Sequence, residues 1–220
     1  MMLIKKLDQI NPSDQHIAGG KSLALAHLHQ NGFPVPKAVC ITTDAYDTFI
    51  SSTGLRTRIQ MEISRKDFSQ MRWEEIWDAA LRIRNFFLKT PMPSVLDDQF
   101  REGLAPVFKN SMVAVRSSAP GEDNRGTSFA GLHESFVNIS GIDAVIDHVR
   151  LVWASLWSDA AMLYRKELGL DVNQSRMAVL VQEMINGDRS GVIFTHNPAN
   201  NNESIIESVH GLNQGLVDGI

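Results

Sequence analysis

Apolar and polar positions divide the chain into short strand-like runs and longer stripes at helical spacing. Predicted strands lie at 35–42, 112–115, 133–139, 177–184, 191–195 and 204–209. Predicted helices lie at 23–31, 44–51, 73–88, 95–108 and 142–168. Only turns separate the last three strands, which predicts an antiparallel meander with apolar edges. The pattern as a whole indicates an α+β fold.

The two longest helical stripes set the expected core. The stripe at 142–168 is continuous and Gly169 closes it, so it predicts one long helix. The aromatic residues of 73–88 are interpreted as core, because no basic residues interleave with them as they do in a base-stacking patch. Residues 51–70 are polar and their structure stays ambiguous. The apolar positions of 73–88 are Trp73, Ile76, Trp77, Ala80, Ile83 and Phe87.

The cationic residue Arg116 lies where the predicted central strand ends and a loop rich in glycine and proline begins. Arg116, Ser117 and Ser118 follow the apolar run at 112–115, and Gly131 precedes the alternating run at 133–139. A guanidinium, two hydroxyls and a close-approaching glycine backbone suit a polyphosphate. A long hairpin loop in which Arg116 pairs with Glu122 or Asp123 explains the same residues equally well, because such ion pairs are common.

A second candidate phosphate contact is Lys21, which follows Gly19 and Gly20 at the start of a helix. Free N–H groups and the helix dipole favour an anion at such a place. The Walker A pattern is rejected, because it requires glycine at position 15, where the chain has Gln15. From the residues alone, a helix-starting turn with a solvated lysine is favoured over a phosphate cradle.

Composition narrows the classes of function. At 220 residues with 43% hydrophobic residues, the chain forms one domain or two small ones. Its net charge of −4 argues against a general nucleic-acid or anionic-membrane surface. The single Cys40 excludes an internal disulfide, and clustered zinc ligands are missing from the sequence. The N-terminal residues do not resemble a signal peptide, so a cytoplasmic location is expected.

The stretch VAVRSSAPGEDNRGTSFAGLHESFVN resembles the signature of the nucleotide-binding domain of the phosphoenolpyruvate synthase and pyruvate phosphate dikinase family, which rifamycin phosphotransferases share. The stretch GGKSLALAHLHQNGFPVPKAVCITTDAYDTFI resembles the opening motif of the same family, although Ser22 stands where members commonly carry Gly. The resemblance continues in VRLVWASLWSDAAMLYRKELGL and SIIESVHGLNQGLVDG, and it is weakest at 51–110.

The resemblance implies a fold and a set of site residues. The fold is an α+β, ATP-grasp-like nucleotide-binding domain over 1–220, truncated at its C-terminus, with possible subdomain breaks near 105–112 and near 175. Lys21 and Arg116 are implied to bind phosphates and to act in catalysis. Gly131 and Ser135 are implied to line the phosphate loop, and Glu207 to face the nucleotide. The implied adenine hinge, which the residues alone describe equally well as a surface hairpin, is Gln182, Glu183 and Met184.

The resemblance also implies an activity, namely ATP-dependent phosphoryl transfer to pyruvate or a similar small acceptor through a phosphohistidine on another domain. Mg²⁺ is expected to accompany ATP, with ligands beyond residue 220, so the chain alone is expected to be inactive. The alternatives are a non-catalytic nucleotide-binding or regulatory module and a fragment of an antibiotic kinase. Neither nucleic acid nor a membrane is expected as a partner. The chain is instead expected to form a homodimer through its C-terminal apolar edge.

Overall fold

Seven strands and seven α-helices make up the part of the chain that the computed structural model describes, namely residues 2–121, 131–197, 199–200 and 202–213. The chain divides into two units, Met1–Met184 and Ile185–Ile220. The subdomain breaks near 105–112 and near 175 stay predictions. Over the described residues, no helix is both long enough and apolar enough to cross a membrane.

The elements follow one another in an order close to that predicted. The strands are β1 (Ile4–Lys6), β2 (Ala38–Ile41), β3 (Val113–Ser118), β4 (Ser135–Ile139), β5 (Ala178–Glu183), β6 (Arg189–Phe194) and β7 (Ile205–His210). The helices are α1 (Gln15–Gln30), α2 (Thr43–Ser52), α3 (Leu55–Ile63), α4 (Trp73–Lys89), α5 (Ser94–Phe108), α6 (Ile142–Ser155) and α7 (Asp159–Glu167). Single turns of 3-10 helix lie at Leu7–Gln9, Pro12–Asp14, Phe68–Gln70 and Val172–Gln174.

The first unit is built on a five-stranded antiparallel sheet in the order β1-β2-β5-β3-β4. Successive side chains of a strand point to opposite faces, so residues paired in register share a face. One face carries the apolar side chains of Val39, Val115 and Val181, and the large core of α2 to α7 packs against it. The other face packs against α1 and is much smaller.

Aromatic side chains fill the large core. Trp153 lies against Tyr46, Phe49 and Phe100 with ring centroids 5.2–6.2 Å apart. The Trp153 indole donates to the carbonyl of Met177 at 3.1 Å, which ties α6 to the start of β5. The indole N–H of this buried ring is therefore satisfied, as a stable core requires.

Three expectations from the pattern are wrong in whole or in part. The stripe at 142–168 forms two helices, because Ser158 accepts a hydrogen bond from the N–H of Ala161 at 3.2 Å and so caps α7. The predicted meander forms only in part, because β6 and β7 pair antiparallel as expected, whereas β5 is apolar on both faces and pairs with β2 and β3. Phe87 is core as predicted, but Trp73 and Trp77 are exposed.

In the second unit, β6 and β7 form an antiparallel ribbon of their own. Ile193 opposes Ile206 across the ribbon, and both side chains are exposed. Gly191 lets the two strands approach, because a Cβ at this position would lie 2.5 Å from the carbonyl oxygen of Glu207.

Candidate functional site

Lys21 lies on a helix that is bent two residues before it. The sequence predicts a helix from residue 23, but α1 begins at Gln15 and is interrupted at Gly19, whose φ is 74° and ψ is 171°. Upstream, the Asp14 carboxylate accepts from the N–H of Asn11 at 2.8 Å and from the Lys5 ammonium at 2.6 Å. These contacts anchor the start of α1, and the bend at Gly19 then sets the direction of the segment that carries Lys21.

The Ser118 hydroxyl, at the end of β3, holds this bend against the sheet. It donates to the carbonyl of Ala18 at 2.8 Å. It accepts from the N–H of Ser22 at 3.0 Å and from the Ser22 hydroxyl at 3.1 Å. A hydroxyl has one donor and two acceptor positions, so all of its hydrogen-bonding capacity is used. Ser118 thereby fixes both sides of the Gly19–Lys21 segment.

Arg116 lies two residues before Ser118 on the same face of β3, which is the face that α1 covers. Its guanidinium donates to the side-chain oxygen of Gln182 at 3.4 Å. In register, Arg116 pairs with Ser135 on β4 and with Leu180 on β5. The sheet therefore brings the predicted residues Arg116, Ser135 and Gln182 to one face, although they are far apart in sequence.

The predicted adenine hinge lies at the end of β5, and its polar groups are partly committed. The N–H of Glu183 donates to the carbonyl of Lys37 at 2.8 Å, and that of Met184 to the carbonyl of Met112 at 2.9 Å. The Glu183 carboxylate accepts from Ser111 at 2.8 Å. A purine edge at this stretch would therefore meet carbonyl oxygens rather than these two N–H groups.

Gly131 and Ser135 lie on either side of His133, a buried histidine to which no motif assigns a role. Gly131 is exposed with a φ of 74°, and Ser135 begins β4 at an exposed position. Between them, burial of His133 lowers its pKa to about 3, and the positive charges of Arg165 and Lys21 add to the effect. The imidazole is therefore neutral at physiological pH. No sequence motif predicts the low pKa of His133, because the burial that causes it comes from elements distant in the sequence.

A cavity of about 490 Å³ lies beside His133 in the first unit. Its wall includes the charged or titratable side chains of His16, Arg165, Asp171 and Arg176. Burial also lowers the pKa of Arg165 to about 10, and its guanidinium donates to the carbonyl of Leu156 at 2.7 Å. None of the eight predicted site residues belongs to the described lining of this cavity.

Two predicted features lie apart from this arrangement. Glu207 belongs to β7 in the second unit, where it is exposed and pairs with Val192. The loop at 122–130, including the Glu122 and Asp123 considered as partners of Arg116, lies outside the described residues. Within the described residues, no three His, Cys, Asp or Glu side chains gather closely enough to hold a metal ion.

Comparison with known proteins finds relatives that are similar to almost the whole chain. The chain is 37% identical over 99% of its length to a phosphoenolpyruvate synthase of Aeropyrum pernix, and 35% identical over 100% to a probable phosphoenolpyruvate synthase of Methanocaldococcus jannaschii. It is 31% identical over 99% of its length to a rifampicin phosphotransferase of Bacillus subtilis. The chain spans 27%, 19% and 25% of the lengths of these three relatives.

The family model for the pyruvate phosphate dikinase AMP/ATP-binding domain matches residues 15–220. The match begins at the first residue of α1 and includes Lys21, Ser118 and Arg116. The chain therefore belongs to the family of pyruvate phosphate dikinase AMP/ATP-binding domains, within a group of phosphotransferases.

Proposed function

We propose that the phosphates of ATP bind where α1 meets β3, beside Lys21 and Arg116. We further propose that a longer protein containing this chain transfers a phosphoryl group from this ATP to a small acceptor. The observation that carries the proposal is the Ser118 hydroxyl. It joins the segment before Lys21 to the strand that carries Arg116. One buried hydroxyl thus fixes the backbone segments that carry the two cations, on α1 and β3, relative to each other, and fixed positions favour the binding of a phosphate.

The chemistry follows from charge. A transferring phosphoryl group carries its charge on oxygens that fixed cations stabilise, so positioning and electrostatics supply most of the catalysis. Arg116 offers a planar fork of donors, and Lys21 acts as a compact point charge. The side-chain oxygen of Gln182 orients the Arg116 guanidinium by accepting a hydrogen bond from one of its N–H groups.

Adenine lies against the end of β5 in this proposal. Since the N–H groups of Glu183 and Met184 already donate to the carbonyls of Lys37 and Met112, carbonyl oxygens of this stretch accept hydrogen bonds from the amino group of adenine. Ser135 on β4 and Gly131, four residues before it, contact the phosphates in this proposal, and a contact of Glu207 with the nucleotide stays a prediction. Selectivity for adenine over guanine follows, because guanine presents a carbonyl where adenine has its amino group.

Mg²⁺ commonly neutralises the phosphates of ATP in such reactions. The described residues do not form a metal site of their own. We therefore propose that the ligands of Mg²⁺ lie outside the described residues.

Binding of ATP to the 220-residue chain tests the proposal by calorimetry. Lys21→Ala is expected to weaken ATP binding about tenfold or more, since a charge-assisted contact contributes about 1.5–3 kcal/mol. Lys109→Ala, at an exposed position at the end of α5, is the matched control and should bind like the wild type. Equal affinity of the wild type and Lys21→Ala for ATP would contradict the proposal.

The acceptor is pyruvate in our proposal, because several relatives of the chain are phosphoenolpyruvate synthases. The similarity to a rifampicin phosphotransferase supports an antibiotic acceptor as the second candidate. Incubating the whole protein with ATP and either pyruvate or rifampicin separates the two. A protein that binds ATP and phosphorylates neither compound would instead support a non-catalytic nucleotide-binding module.

A further inference from the structure

The chain contains two Asn-Gly pairs, Asn31–Gly32 and Asn186–Gly187, and the structure holds them in opposite ways. Asparagine followed by glycine is chemically labile, because glycine has no Cβ to keep its backbone nitrogen away from the asparagine side chain. The local sequence therefore gives both pairs the same weakness. Their surroundings in the fold decide which of them reacts.

The first pair, Asn31–Gly32, lies at the end of α1 and is held by hydrogen bonds. The N–H of Gly32 donates to the carbonyl of His29 at 3.1 Å. The side-chain amide of Asn31 donates to the carbonyl of His27 at 2.8 Å. The nitrogen that would attack and the amide that would be attacked are thus both engaged. This pair is protected as long as the end of α1 stays folded.

The second pair lies in the connector between β5 and β6, which we define as residues 185–187. Backbone hydrogen bonds fix the chain immediately before and after the connector. The N–H of Met184 donates to the carbonyl of Met112 at 2.9 Å, and the N–H of Gly211 donates to the carbonyl of Asp188 at 2.9 Å. The three residues of the connector follow directly on the last residue of the first unit.

The reacting groups of the second pair are exposed and not engaged. Asn186 and Gly187 are both exposed and lie outside the strands. In the part of the chain that the structure describes, neither the side chain of Asn186 nor the N–H of Gly187 makes a hydrogen bond to another residue. Movement of the connector therefore brings the two groups together without breaking a protein hydrogen bond.

We propose that Asn186 is a site of spontaneous deamidation. The backbone nitrogen of Gly187 loses its proton and attacks the side-chain carbonyl carbon of Asn186. This forms a five-membered succinimide ring, and the side-chain nitrogen leaves as ammonia. Water then opens the ring at one of its two carbonyl carbons, which gives aspartate or isoaspartate. The reaction involves no oxidation or reduction, and water is its co-reactant.

The modification changes the connector in charge and in length. Either product adds one negative charge two residues before Asp188. Isoaspartate also carries the backbone through its side-chain carbon, so the connector becomes longer by one backbone atom. In our proposed function Met184, two residues before Asn186, belongs to the adenine contact. The deamidation itself does not depend on that proposal.

Peptide mapping of the 220-residue chain compares the two pairs in one sample. Trypsin releases peptides 22–37 and 177–189, and each contains a single asparagine. During incubation at mildly alkaline pH, Asn186 is expected to deamidate about tenfold faster than Asn31 or more, because two hydrogen bonds must first open at Asn31. Equal rates at the two positions in the folded chain would overturn the proposal.

The same incubation in guanidinium chloride controls for the local sequence. The two rates are expected to converge in the unfolded chain, because Asn31 then loses the hydrogen bonds that protect it. A preference for Asn186 that persists after unfolding would show that the neighbouring residues select it. That result would overturn the assignment of the site to the structure.

Ion-exchange chromatography of variants tests whether the new charge arises at this position. Asn186→Gln is expected to slow the appearance of the more acidic form, because glutamine would have to close a larger ring. Asn31→Gln is the matched control and should leave the rate unchanged. Both positions are exposed, and circular dichroism verifies that the variants fold. An acidic form that accumulates as fast in Asn186→Gln as in the wild type would contradict the proposal, and the mapping of the wild type does not depend on either variant.

Discussion

A Cβ atom at Gly19 would lie 1.9 Å from the carbonyl oxygen of Ser118 and 2.7 Å from its hydroxyl oxygen. No side chain fits between the bend of α1 and the end of β3, so the two backbones touch only because residue 19 is glycine. The contact brings the Ser118 hydroxyl within reach of Ala18 and Ser22. Position 19 therefore couples the phosphate-binding lysine of our proposal to the central sheet.

Replacing Gly19 with alanine is expected to lower the free energy of unfolding by about 3 kcal/mol or more. A φ of 74° with a ψ of 171° is a conformation essentially confined to glycine, so it costs an alanine about 1–3 kcal/mol, and the clash with the Ser118 backbone adds to this cost. Gly32→Ala is the matched control, because Gly32 has a φ of 80° at the end of α1 with nothing within 4 Å of its Cβ position. Urea unfolding of both variants separates the clash from the backbone strain. Equal losses in the two would show that the contact is not rigid.

Removing the Ser118 hydroxyl leaves a buried carbonyl and a buried N–H without their partner. Ser118→Ala is expected to cost about 1–3 kcal/mol in unfolding free energy and to weaken ATP binding as well. Ser117→Ala is the control, since Ser117 is buried on the opposite face of β3. Calorimetry and urea unfolding check both effects. A stability loss with unchanged ATP affinity would limit Ser118 to a structural role.

Periodicity predicted most elements, because their apolar positions face one side. Helix α4 and strand β5 lie where their patterns place them. The break between α6 and α7 was missed because the apolar stripe continues across the cap at Ser158, so the pattern alone does not reveal it. Likewise, the local sequence does not reveal which strands are neighbours, and β5 lies between β2 and β3.

The sequence predicts the site residues that belong to a family motif. It does not predict those whose properties depend on burial in the fold. Arg116 and Gln182, 66 positions apart, were identified by resemblance, and the structure adds the hydrogen bond between them. His133 was passed over, because its low pKa comes from the elements packed around it. Trp73 and Trp77 were assigned to the core, because a helical repeat indicates apolar positions but not what covers them.

Arg116→Ala is expected to weaken ATP binding about tenfold or more while leaving adenosine binding nearly unchanged, because adenosine has no phosphate for the guanidinium to contact. Arg101→Ala, which removes an exposed arginine paired with Asp97 and Asp143, is the control and should leave both affinities unchanged. Titration calorimetry with the two ligands gives the comparison. Equal losses for ATP and adenosine would argue that Arg116 acts only through the fold.

The 220-residue chain alone is expected to bind ATP without turning it over. It spans at most 27% of the length of the three relatives compared, and the transfer in our proposal uses a metal site and an acceptor domain outside the described residues. Chromatographic assay of ADP, AMP and phosphate after incubation with Mg²⁺ and ATP checks this. Turnover that disappears in Lys21→Ala would overturn the prediction, whereas turnover that persists there would point to a contaminating enzyme.

His133 is expected to make the stability of the chain sensitive to mild acid. Burial lowers its pKa from the ordinary 6.5 to about 3, so between these values the unfolded chain binds a proton that the folded chain does not. The stabilisation is complete above pH 6.5 and is lost as pH falls towards 3. Between pH 7 and 5.5 the loss from this one group is about 1.3 kcal/mol. Carboxylates titrate mostly below this window.

Urea unfolding at pH 7 and at pH 5.5 measures this loss. The difference is expected to shrink by about 1 kcal/mol in His133→Gln, because glutamine does not titrate. His29→Gln, at an exposed position on α1, controls for the removal of a histidine as such. An NMR titration of the wild type reports the group directly and does not depend on the variant folding. Protonation of the folded His133 ring near pH 6.5 would show that its surroundings admit the charge, and the pH sensitivity would then have another origin.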